Sequence, residues 1–145
     1  MKIDTKYFGE IEIGDEKIIH FENGLLGFED YNDFTILFDI DAGEQPLFSW
    51  LQSVTERNLA FPVVNPLRVK EDYNPIVEDG LLETIGGVTE ENLFVLLLAT
   101  VPKEIKETSV NLKAPLIINS DTRKGIQVIV ENADYEVKYK IIGQS

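Results

Sequence analysis

The run Leu93-Phe94-Val95-Leu96-Leu97-Leu98-Ala99-Thr100-Val101 is the longest apolar stretch of the chain, and its length limits what it can be. A bilayer span needs about 20 apolar residues, so nine followed by Pro102 are far too few. The N-terminal Met1-Lys2-Ile3-Asp4-Thr5-Lys6 carries no apolar block of signal-peptide length either. By length and composition the run predicts a core strand.

Working outward, most other segments also read as short strands, because apolar residues alternate or run briefly and are rich in Ile, Val, Phe and Tyr. Towards the N-terminus these are Leu59 to Val64, Leu47 to Gln52 and Asp33 to Ile40, the last with apolar positions on both faces, as a central strand requires. Lys17 to Phe21, Glu10 to Ile13 and Ile3 to Thr5 are expected to open an antiparallel meander with a turn at Gly14-Asp15. Pro62, Pro66 and Pro75 each lack a backbone donor, so Leu59 to Ile76 is expected at an edge, in a bulge or in a loop. Val77 to Gly86 fits one or two helical turns stopped by glycine, and Thr89-Glu90-Glu91 a second short turn. Beyond Pro102 come strands near Ser109 to Leu112, Leu116 to Ile118, Gly125 to Glu131 and Tyr135 to Ile142. The last alternates Tyr135, Val137, Tyr139 and Ile141 with polar residues, which places those four on one face. About nine or ten short strands without strong crossover helices predict an all-β fold, an antiparallel barrel-like or sandwich single domain over residues 1–145 with one or two short helical turns.

At 145 residues, 43% of them hydrophobic, the chain is long enough to bury a real core. It has no cysteine, which excludes disulfides, thiolate metal sites and cysteine nucleophiles and makes the cytosol its natural compartment. The net charge of -13 is unevenly placed. Ile18 to Glu56 holds eight acids and Glu71 to Pro102 holds seven, and neither stretch contains Lys or Arg. An acidic side and a more neutral side are therefore expected. Such charge opposes direct nucleic-acid binding and attachment to anionic membranes. It suits either a cationic protein partner or simple solubility.

No chemistry of bond making assembles. His20 is the only histidine. It stands in an expected strand with nothing that selects an orienting acid and a nucleophile for it. Asp39 with Asp41, and Glu29, Asp30 and Asp33, are acid clusters, but no window carries the ligand spacing of a calcium loop. In a strand Asp39 and Asp41 would share a face, which fits a carboxylate pair or an ordinary solvated face. Gly24, Gly27, Gly86 and Gly87 form no phosphate-binding loop and read as turn and bulge positions needing positive φ. No cofactor or metal is expected.

Three blocks are more particular. The first is Phe21-Glu22-Asn23-Gly24-Leu25-Leu26-Gly27-Phe28-Glu29. The second is Pro46-Leu47-Phe48-Ser49-Trp50-Leu51-Gln52-Ser53 with Ala60-Phe61-Pro62-Val63-Val64-Asn65-Pro66 and Tyr73. The third is Val110-Asn111-Leu112-Lys113-Ala114-Pro115-Leu116-Ile117-Ile118-Asn119 with Gly125-Ile126-Gln127. Together they resemble, in order, the signature blocks of the flagellar assembly factor FliW family, with Leu26 where the family pattern usually has proline. Within them Asn111 and Gln127 are expected to satisfy backbone groups at barrel corners.

The resemblance implies a non-enzymatic partner switch, monomeric when free, that binds flagellin. Once flagellin is exported it would instead bind and antagonise CsrA, an RNA-binding translational repressor of flagellin synthesis. Docking beside the RNA site rather than on it is what the resemblance favours. For contacts with these partners the acid-rich crossover offers Glu71, Asp72, Tyr73, Glu78 and Asp79, with Glu29, Asp30 and Tyr31 as neighbours, because tyrosine among acids buries area and keeps a polar tip. The same residues would also serve as solvated loops. From another class, a small acidic β-barrel that binds a ligand or carbohydrate, with calcium at the acid clusters, is the alternative.

Overall fold

A computed structural model describes residues 1–38 and 48–141, so the expected Asp39 and Asp41 pair lies outside the described residues. Eleven strands are present among the described residues: β1 (Lys2–Thr5), β2 (Gly9–Glu12), β3 (Ile19–Phe21), β4 (Asp33–Leu37), β5 (Ser49–Ser53), β6 (Ala60–Val64), β7 (Leu93–Thr100), β8 (Ser109–Val110), β9 (Leu116–Asn119), β10 (Lys124–Gln127) and β11 (Tyr139–Lys140). One short helix, α1 (Asp79–Glu83), and a few 3-10 turns complete the described elements. The β-rich expectation holds.

Seven strands close into a barrel. β7, β6, β5, β4, β3, β10 and β9 pair in that order, and β9 pairs back onto β7. Six of the seven contacts are antiparallel and β3 with β10 is parallel, through Lys124 opposite His20 and Gly125 opposite Phe21. The barrel-like expectation holds, and its one parallel pair has a geometric reason: strand directions can alternate around a closed ring only if the number of strands is even. With seven, one neighbouring pair must run the same way.

The run becomes β7, a core strand as expected, and its middle is buried on both faces. Leu96 points into the barrel with Phe21, Leu25, Phe34, Leu51, Val63 and Leu116. Its neighbour Leu97 points outward into a second cluster with Tyr73, Ile85, Leu112, Val128 and Tyr135. Alternation along a strand normally sends one set to water. Here the crossover and the C-terminal segments cover the outer face as well, each fully buried leucine contributing roughly 1.5–3 kcal/mol.

Three strand expectations need correction. β2 does not continue into β3: β1 and β2 pair only with each other, and a 3-10 turn at Asp15–Lys17 redirects the chain into the barrel. Pro62 sits in β6 between two partners rather than at an edge. Ser53 donates to the Leu59 carbonyl at 2.8 Å, so in this register Trp50 and Pro62 are a non-hydrogen-bonded pair and the proline nitrogen faces away from β5. It faces β7, whose pairing with β6 begins only at Val63. Finally, the closing strand is just Tyr139–Lys140, paired with β8. Tyr135 is buried while Val137 is 60% exposed, so the four alternating residues do not share a face.

Tyr135 leaves the strand because Tyr73 holds it. Their rings stack with centroids 5.0 Å apart, and the Tyr73 hydroxyl donates to the Leu112 carbonyl at 2.8 Å. The Tyr135 hydroxyl accepts from the Asn74 N–H at 2.7 Å. Burial, and secondarily Tyr135, pushes the Tyr73 phenol above its ordinary value. In the unfolded chain that phenol ionises near pH ~10, whereas in the fold it keeps its proton. Its stability contribution is thus complete below pH ~10 and drains away above it, at up to about 1.4 kcal/mol per pH unit. Melting temperature should fall as pH rises from ~9 to ~11, and Tyr73→Phe should flatten that limb while costing about 1–2 kcal/mol at neutral pH for the stranded carbonyl. Melts across this range that fall equally steeply for both proteins would refute the assignment.

Candidate partner-binding surface

The loop between β3 and β4 is built to stay in one shape. Gly24 adopts φ +67 and its N–H donates to the Phe21 carbonyl at 2.9 Å. A Cβ there would come within 2.7 Å of the Glu29 Cα, so any side chain would displace backbone. Phe28 donates back to the Leu25 carbonyl at 2.7 Å, and Asn32 Nδ2 donates to the carbonyls of Phe21 and Glu22. Gly27, Gly86 and Gly87 also take the positive φ expected of them. The result plugs Leu25 into the barrel at 1% exposure and holds Leu26 out in water at 58%.

Side chains from the other two blocks fix this loop from outside. Gln127 Oε1 accepts from the Leu26 N–H at 2.8 Å, and its Nε2 donates to the Ala114 carbonyl at 3.1 Å. Proline at position 26 has no N–H to give, so the leucine that departs from the family pattern adds this tie. Asn111 Oδ1 accepts from the N–H groups of Lys113 and Ala114, which shapes the turn leading to Pro115. Gln52 accepts from the Lys6 N–H and points its amide nitrogen at the carbonyls of Ser53 and Arg57, while Ser53 Oγ accepts from the N–H groups of Thr55 and Glu56. Pro66 is buried at the start of a 3-10 turn capped by Asn65.

Between this loop and α1 lies a cleft of about 380 Å³. Leu26 stands on one wall, Leu81 and Thr84 on the other, and Gly125 and Ile126 of β10 form the floor. Glu22 and Glu29 border it, opposed by Lys124. His20, also at the rim, sits with Nδ1 2.8 Å from Asp33 and Nε2 3.8 Å from Glu22. Asn119, 1% exposed, ties down the segment that follows α1, donating through Nδ2 to the carbonyls of Ile85 and Gly87.

The acids proposed for contact fall in different places. Glu29 borders the cleft with Asp30 exposed beside it, while Tyr31 is half-buried against the barrel interior. Phe28 packs edge-on against Phe61 at 5.0 Å. Glu78 and Asp79 are exposed at the start of α1. Glu71 and Asp72 are exposed on the crossover and do not line the cleft; Asp72 pairs with Lys70 at 3.0 Å, which holds its carboxyl below the usual range. Tyr73, expected as a contact, is instead buried in the core with its hydroxyl bound to the Leu112 carbonyl. Within the two lysine-free stretches, the acids with an ion pair among the described residues are Glu22, Asp33 and Asp72. The other described acids of these stretches have no ion pair among the described residues.

Sequence reasoning missed Leu26, Leu81, Ile126 and Lys124 as neighbours, because nothing local marks residues that meet only across the barrel. Asn119 stood in the third block, and an Asn ending a strand before Ser120-Asp121 is a recognisable turn former. Among the described residues, no group of three or more His, Asp and Glu could hold a metal ion, and no helix is long and apolar enough to cross a membrane.

The chain is thus a small closed barrel whose interior is filled by side chains and whose outside carries a glycine-fixed loop, a cleft and exposed acids. Its kin are flagellar assembly factors. The FliW protein family model matches residues 2–141, and the chain belongs to the FliW family. It is 45% identical over 142 residues to the flagellar assembly factor FliW of Lachnospira eligens, covering 97% of this chain and 94% of that one. With the protein of the same description from Lachnoclostridium phytofermentans it shares 46% over 141 residues, 97% of this chain and 90% of the other. A crystal structure of the flagellar assembly factor FliW superposes with a TM-score of 0.89 at 32% identity, over 100% of this chain and 99% of that chain.

Proposed function

We propose that this chain is a non-enzymatic assembly factor that binds flagellin and, when flagellin has been exported, binds and antagonises the RNA-binding repressor CsrA. The observation that carries the reading is membership of the FliW family over residues 2–141. Two partners drawing on one pool are coupled by mass action, so free flagellin keeps the protein from the repressor. The charge pattern supports the second half: a repressor that binds RNA must present Lys and Arg, and the exposed, unpaired acids give it a complementary surface. Repulsion of RNA by the docked protein reaches only about 8 Å at physiological salt, so it acts where acids lie close to the RNA path.

The test is titration calorimetry of the chain with purified flagellin, with purified CsrA, and with CsrA in the presence of flagellin. Binding to each alone, and loss of CsrA binding when flagellin is in excess, is the expected result; binding to neither sinks the proposal. Reversing Glu71 and Asp72 to lysine should weaken CsrA binding by about tenfold at low salt and flatten its salt dependence, since exposed charges act mainly through long-range attraction. Unchanged affinity at both low and high salt would reject that patch.

A further inference from the structure

We propose that the cleft between the 24–29 loop and α1 is the docking groove for an extended protein segment that carries an aliphatic residue next to lysine or arginine. The inference rests on the protein-binding reading above and names the part of the surface that anchors the basic partner. Three observations carry it. First, Leu26 is a large aliphatic side chain kept 58% exposed on a loop fixed by glycine at 24 and by hydrogen bonds from its own N–H to Gln127 and from Phe28 to Leu25. An apolar group held rigid in water loses little entropy on burial, which is how a binding anchor is preorganised.

Second, the space facing Leu26 is concave and apolar at its base. Leu81 and Ile126 line it beside the backbone of Gly125. The volume, about 380 Å³, falls within the range of sites that take side-chain-sized groups.

Third, the rim is acidic along the loop side, where Glu22 and Glu29 border it directly. Among the described residues Glu29 has no ion pair and Glu22 has only the histidine. Lys124 is the one lysine or arginine on the lining. An aliphatic anchor beside a cation that meets Glu22 and Glu29 complements this arrangement in shape and sign, whereas an acidic segment would meet repulsion there.

The experiment measures binding of the full chain to purified CsrA and to purified flagellin for the wild type, Leu26→Glu, Glu29→Lys and, as a control away from the cleft, Glu10→Lys. Both cleft positions are exposed, and thermal melts confirm that each variant is folded. The expected result is a loss of CsrA affinity of about tenfold or more in Leu26→Glu at every salt concentration, since the lost contact is apolar. Glu29→Lys should show a smaller loss that fades at high salt, and Glu10→Lys should match the wild type. Wild-type affinity in both cleft variants overturns the groove and leaves the partner reading standing. Loss of flagellin binding with CsrA binding intact also overturns it, by giving the cleft to the other partner. If the wild type binds neither protein, the partner reading itself has failed, which the control arms separate from failure of the groove.

Discussion

Phe21→Ala is expected to lower the unfolding free energy by about 3–5 kcal/mol, a large part of what a domain of this size holds in total. Phe21 is fully buried, packs edge-on to Phe34 with centroids 5.7 Å apart, and covers Gly125 where the parallel strands β3 and β10 meet. Its removal therefore empties the seam that closes the barrel. The adjoining substitution discriminates this geometry from a generic core effect. Gly125→Ala alone forces a methyl against the ring and should cost about 1–3 kcal/mol, yet in the Phe21→Ala background the same methyl enters vacated space and should cost far less. Urea unfolding of the two single variants and the double variant would show a coupling well beyond the roughly 0.3–0.5 kcal/mol scatter of independent sites. Additive losses would mean that the ring and the glycine do not share that contact.

What could be read from the residues was whatever depends on near neighbours. The apolar run at Leu93 announced a core strand, and the paired glycines at 24 and 27, and at 86 and 87, announced left-handed backbone, because both signals are written within a few residues. Pro62 misled for a local reason. A missing donor matters only if the nitrogen faces a partner, and that depends on the parity of a pairing made elsewhere. Tyr73 misled in the same way: tyrosine among acids resembles an interface until Tyr135, distant in sequence, stacks on it and Leu112 takes its hydroxyl. The parallel seam follows from the strand count of the closed ring, which no single segment records. The cleft was least legible, because it exists only where the 24–29 loop, α1 and β10 converge, and the bond from Leu26 to Gln127 spans 101 residues.

The second large effect is expected at Asn119, which ties that convergence together. Its Oδ1 accepts from the N–H groups of Asp121 and Thr122, and its Nδ2 donates to the carbonyls of Ile85 and Gly87. Asn119→Ala strands several of these groups in a buried place and should cost about 3 kcal/mol or more. The Ile85 carbonyl keeps the Thr122 hydroxyl as a donor at 2.8 Å, whereas the Gly87 carbonyl loses the side-chain donor that held it. Amide exchange should therefore accelerate first at the end of α1, in the wall of the cleft, ahead of the barrel strands. Asn119→Asp separates the two halves of the side chain's work. It preserves the acceptor for the turn but sets a carboxylate against two carbonyls, so its folded pKa must lie above the ordinary ~3.9 of the unfolded chain. The stability it retains when protonated is then lost as pH rises through that folded value, and the gap between Asn119→Asp and the wild type should narrow on acidification. A gap that is constant with pH, or exchange in α1 that stays as slow as in β7, would show that the helix is held by something other than this amide.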